Sequence, residues 1–144
     1  MHAMSDHYEV VFSCFLRDDT PESVLAALRW HLGMDAEPPE NLSQEEHPDP
    51  LLTPDQNNSR LPGGDIASLR RTVQGFTASG QRHEWELFSR KYWVDDSMLY
   101  LDSILDLVAP HIARPGYGGY FRDDCNTTLT VFTFHDGTYG PIDI

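Results

Sequence analysis

Lysine and cysteine are nearly missing from this sequence. Of its ten basic residues only Lys91 is lysine and the other nine are arginine, a skew of the kind that GC-rich bacterial genomes produce. Set against twenty-three acids, they leave a net charge of −13. A surface that acidic repels nucleic acid and anionic lipid over about a Debye length, roughly 8 to 10 Å in physiological salt, so neither is an expected partner. The two cysteines, Cys14 in an apolar run and Cys125 beside Asn126, are too few for a disulfide framework and have no metal-ligand spacing. Both are read as thiols. No stretch approaches the roughly 18 apolar residues that span a bilayer, and the opening MHAMSDHYEV lacks the basic and apolar regions of a signal peptide. A cytoplasmic protein is expected.

The chain is nonetheless foldable. At 144 residues it has the commonest size for one domain and is long enough to close a core without disulfides or metal. An apolar content of 40%, with seven Phe, six Tyr and three Trp, separates it from disordered chains of similar charge.

Tyr8, Val10, Phe12, Cys14 and Leu16 recur at every second position, the period of a strand over 8–16. Thr20-Pro21-Glu22 then marks the start of a helix over 21–32, with Thr20 as N-cap, Leu25, Leu28 and Leu32 on one face and Gly33 as the left-handed stop. His31 near its end is read as a partner of the helix dipole. Segment 34–65 holds six prolines and eight acids against Arg60 alone, without an apolar period, and reads as a long acidic loop with Leu51 and Leu52 pinning its middle. Two strands over 66–77 and 82–94 form a hairpin about 78–81, with Val73 set opposite Leu87. A second helix over 97–112 follows from Met98, Leu101, Leu105, Val108 and Ile112, with Pro110 near its end. Strands over 117–124 and 128–135, turning at 125–127, and a short tail complete the chain. This order predicts a single α+β domain over 1–144 with a ferredoxin-like split β-α-β sandwich: two helices on one face of a four- to five-stranded, mostly antiparallel sheet.

Residues able to do chemistry are scattered rather than convergent. Gly116-Tyr117-Gly118-Gly119-Tyr120 leads into a strand, whereas a phosphate loop must open a helix; Gly118 is better explained by an aromatic such as Phe134 packing over it. Cys125 and His135 sit at opposite ends of one hairpin, and Cys14 lies in an apolar strand that raises a thiol pKa. The pairs Asp18-Asp19 and Asp95-Asp96 precede helices and read as caps. No catalytic set, cofactor site or metal site is expected.

Charge segregation is the remaining signal. Arg70, Arg71, Arg82, Arg90 and Lys91, half of the basic residues, fall within 66–94 together with Trp85, Tyr92 and Trp93. Arg, Trp and Tyr are the residues enriched at recognition hot spots. The leading expectation is a binding module that recognises a protein partner, or a second copy of itself, through Arg70, Arg71, Trp85, Arg90, Tyr92 and Trp93. A second is a small enzyme or ligand carrier with a pocket between sheet and loop, anchored by Arg71, His83 or Arg122. A third is an acidic immunity- or inhibitor-type protein that neutralises a basic toxin or nuclease by charge.

Overall fold

The alternation at 8–16 becomes strand β1 (His7–Arg17), whose Val10, Phe12, Cys14 and Leu16 are buried. The computed structural model describes residues 7–123, 125 and 128–143. After β1 come helix α1 (Glu22–His31), strands β2 (Ile66–Thr77) and β3 (Gly80–Val94), helix α2 (Leu101–Val108) between two 3-10 segments, and strands β4 (Gly116–Asp123), β5 (Thr130–His135) and β6 (Thr138–Asp143). All six strands form one antiparallel sheet in the order β2-β3-β1-β4-β5-β6. Thus β3 lies between β1 and β2, and β1 between β3 and β4.

This overturns the expected ferredoxin-like sandwich: among the described residues the sheet has six strands rather than four or five, and only two short α-helices accompany it. Two local causes account for the difference. Asp136 and Gly137 adopt φ of 53° and 77°, the two-residue turn whose twist suits a hairpin, and so the expected tail pairs with β5 as β6. Pro141 is tolerated there because β6 is an edge strand. The helix expected over 97–112 is cut to eight α-helical residues, with Asp95–Tyr100 before it and Ala109–His111 after it wound as 3-10 turns. Pro110 has no amide to donate and cannot continue the α-helical ladder.

The β2–β3 register also differs from expectation. A two-residue turn at Ala78-Ser79 sets Thr77 opposite Gly80, and a bulge at Gln74 sets Val73 opposite His83; Leu69, not Val73, faces Leu87. The tip of this hairpin therefore runs past the end of β1 and leaves Phe76 79% exposed. Asp124, Asn126 and Thr127 lie outside the described residues, and with them the turn expected at 125–127.

The core occupies one face of the sheet. Phe12, Leu87, Trp93, Phe132 and Phe134 meet Leu25 and Leu28 of α1 and Ile104, Leu105 and Val108 of α2. Burial of each such side chain stabilises the fold by about 1.5 to 3 kcal/mol. Gly118 lies beneath the Phe134 ring, as the sequence led us to expect. Thr20 does not cap α1; its hydroxyl donates to the Arg17 carbonyl at 2.6 Å. The helix ends as expected, with Gly33 at φ 80° and the Gly33 and Met34 amides bonded to the carbonyls of Trp30 and Arg29.

Segment 34–65 contains no helix or strand, yet its second half is packed. His47, Leu51, Leu52, Leu61 and Asp65 are buried. His31 is no dipole partner at the surface but a fully buried ring, with Nε2 2.9 Å from His47 Nδ1 and Nδ1 accepting the Leu51 amide at 3.1 Å. Its carbonyl accepts the Leu52 amide and the Thr53 hydroxyl. The Pro- and acid-rich composition conceals this anchoring, because a few buried groups suffice to hold a loop. Subtilisin, which has little sequence preference, is expected to cut first within the exposed stretch 34–46 and to spare 47–65. A first cut beyond residue 47, read by mass spectrometry, would contradict the anchoring.

Candidate functional site

Strand alternation divides the sheet into two unlike faces. One carries the core. The other has no helix over it among the described residues and presents Glu9, Val11, Ser13 and Phe15 from β1, Glu84, Glu86, Phe88, Arg90 and Tyr92 from β3, and Arg70 from β2, with Tyr120 and Arg122 from β4. Arg114, from the connection before β4, joins this face with its guanidinium 3.9 Å from the centre of the Phe15 ring.

Two carboxylates on this face are each shared by two arginines. Glu9 accepts Arg90 Nε at 3.0 Å, the Tyr120 hydroxyl at 3.0 Å, and Arg122 Nη2 and Nε at 3.0 and 3.3 Å. Burial alone would raise its pKa, but the hydrogen bonds from Arg90, Arg122 and Tyr120 outweigh burial and hold it below the usual carboxylate range. Arg90 is further fixed by the carbonyls of Pro62 and Gly64. Glu84 accepts Arg114 Nε at 3.0 Å and Arg82 Nη1, while Arg114 Nη2 donates to Gln74 Oε1 at 2.8 Å. The side chains of Glu9 and Glu84 are only 9% and 7% exposed, whereas those of Arg122, Arg82 and Arg114 are 35%, 45% and 46% exposed. The acids are foundations, and three of the four guanidiniums are what solvent meets, that of Arg90 being only 20% exposed.

Glu84 stands opposite Arg17, eight residues along β1 from Glu9, so the two triads are about 26 Å apart at roughly 3.3 Å per residue. Between them lie Phe15, Phe88 and the Arg70–Glu86 pair at 2.7 Å. Arg17, at the end of β1, is matched by Asp19. With that pair set aside, five arginines meet three glutamates here, a net positive face on a chain of net charge −13.

The six residues singled out in the hairpin separate by parity. Arg70, Arg90 and Tyr92 lie on the helix-free face, with Tyr92 stacked on His7 at 5.2 Å between ring centres. Arg71, Trp85 and Trp93 lie on the core side, where Arg71 binds Asp18 at 2.8 and 3.1 Å and Trp93 is buried. The three candidate pocket anchors do not converge either, since Arg71 and His83 lie on the core side and Arg122 on the other. Sequence reasoning missed Glu9 and Arg114 as site residues. A signal existed for Glu9, an acid near the start of an apolar strand, because such a group must find partners when buried.

Among the described residues no three His, Cys, Asp or Glu side chains converge on a metal-sized site. No helix among them is long and apolar enough to cross a membrane. Burial pushes the Cys14 thiol up to about 12. Comparison with known proteins brings no likeness: no family model, curated protein or solved structure matches the chain.

Proposed function

We propose that this protein is a binding module whose helix-free sheet face recognises an acidic, aromatic-containing segment of a protein partner. The observation that carries this reading is the sharing of each of two buried glutamates by two arginines. A buried carboxylate orients both guanidiniums at little further entropic cost and leaves one net positive charge per triad. Phe15, Phe88 and Tyr120 supply apolar and ring surface beside the triads, the chemistry of recognition hot spots. The acidic remainder of the molecule repels such a partner everywhere else, which confines it to this face. Pairing of two copies through the same face would oppose two net positive surfaces, so charge favours a different partner over self-association.

The test uses an extended peptide of alternating glutamate and phenylalanine, with a lysine–phenylalanine peptide as control. The first is expected to bind with marked salt sensitivity, and Arg114→Ala and Arg122→Ala are each expected to weaken it about tenfold or more at unchanged circular dichroism. Equal binding of the lysine peptide, indifference to both substitutions, or a stable dimer by light scattering that buries this face would overturn the reading.

A further inference from the structure

One stretch of chain joins the histidine pair at the end of α1 to Arg90 of the Glu9 triad. At its first end His31 Nδ1 accepts the Leu51 amide, so the ring carries its proton on Nε2 and donates it to His47 Nδ1. His47 in turn holds its own proton on Nε2. Neither ring can take up a second proton without setting N–H against N–H and losing one of these bonds. Burial lowers the pKa of both. The charged groups on this side are Glu46 and, from α2, Asp106, which line a depression together with His47, while the Trp30 ring meets His31 edge-on.

At its other end the segment is tied to β3. The buried Asp65 carboxylate accepts the Asp55 amide at 2.8 Å, the Tyr92 amide at 3.2 Å and Lys91 Nζ at 3.3 Å. The carbonyls of Pro62 and Gly64 accept Arg90 Nη1 at 2.6 and 3.4 Å, and Arg90 Nε reaches Glu9 at 3.0 Å. Segment 47–65 has no helix or strand of its own, and these bonds, with the buried Leu51, Leu52 and Leu61, hold it in place of a continuous backbone ladder. Such a segment opens as a unit at less cost than global unfolding.

We infer that His31 and His47 form an acid-released latch: protonation of the pair opens segment 47–65 as a unit and lifts Pro62 and Gly64 from Arg90. Loss of the Leu51 bond frees the first end, and the ties at Asp65 follow because Asp55 and Asp65 belong to the same packed segment. Opening adds Arg90 to the guanidiniums that solvent meets on the helix-free face. The release does not depend on what that face binds; its value in presenting Arg90 to an acidic partner rests on the function proposed above.

The test is amide hydrogen exchange of the full chain by NMR at pH 8 and pH 5, corrected for the intrinsic rates. An exposed histidine takes up its proton near pH 6.5, so release of His31 alone favours opening about thirtyfold over this interval. The Leu51, Leu52 and Tyr92 amides mark the two ends of the segment and are expected to lose protection together, by about thirtyfold or more. Their exchange should depend less on urea than that of amides at the centre of β1. His31→Asn should shrink the loss by about the same thirtyfold factor, and the urea dependence of the parent decides if that variant does not fold. Protection indifferent to pH, a urea dependence equal to that of β1, or a Tyr92 amide that stays protected while Leu51 and Leu52 exchange would each overturn the latch. None of these readouts uses the glutamate–phenylalanine peptide, so the latch and the proposed function fail separately.

Discussion

Gly119→Ala is expected to lower the melting temperature by about 10 °C, equivalent to roughly 3 kcal/mol for a chain of this size. Gly119 has φ 142°, and a Cβ placed on it would run into the Val11 carbonyl oxygen of the neighbouring strand and the ring of Phe132. Neither obstacle can move cheaply. The carbonyl is backbone of β1, the central strand that pairs with both β3 and β4, and Phe132 belongs to the packed core. Relief therefore requires β1 and β4 to separate near the Phe12–Gly119 pair. Gly140→Ala is the control. No atom lies within 4 Å of a Cβ there, and its stability should stay within about 0.5 kcal/mol of the parent. Equal melting of the two variants would show that β1 and β4 do not approach as closely as described.

Acid should weaken the fold well before the carboxylates titrate. The Leu51 amide can only donate, so His31 Nδ1 is unprotonated, and the ring must carry its proton on Nε2 and donate to His47 Nδ1. Burial first, and the neighbouring His47 second, depress the His31 pKa to about 3. His47 is lowered too, by burial, with Glu46 acting in the opposite sense. In the unfolded chain a histidine takes up its proton near pH 6.5. The contribution of the neutral pair is thus complete above about pH 6.5 and is lost as pH falls toward the folded value, at about 1.4 kcal/mol per pH unit for His31 alone. Between pH 8 and pH 5 urea denaturation should show a loss of about 2 kcal/mol. His111, whose pKa burial also lowers, adds to this slope, so the decisive comparison is with His31→Asn. Asparagine retains an acceptor for the Leu51 amide but cannot be protonated in this range, and its profile should be flatter. An unchanged slope would place the acid sensitivity elsewhere.

The parts of this protein legible from sequence are those in which neighbours along the chain do the work. The alternation at 8–16 is strand β1 because side chains two apart share a face, and Gly33 ends α1 because glycine tolerates the left-handed region. The same local logic applied to Asp136-Gly137, a strong hairpin signal, foretells β6, although the tail about it reads as irregular. Strand parity could likewise have divided Arg70, Arg90 and Tyr92 from Arg71, Trp85 and Trp93, which adjacency in sequence had merged into one patch.

Other features depend on residues that only folding makes neighbours. Glu9 meets Arg122 across 113 positions and Arg90 across 81, and no local pattern ties those three together. His31 and His47 become a buried pair only because a proline-rich segment folds back on a helix end, a contact set by packing rather than by propensity. Composition by itself determined that the chain is acidic, foldable and rich in arginine relative to lysine. The tertiary structure decided where the few positive charges gather, because strand order and pleat, not sequence spacing, place Arg70, Arg82, Arg90 and Arg122 on one face of one sheet, and the connection before β4 brings Arg114 to it.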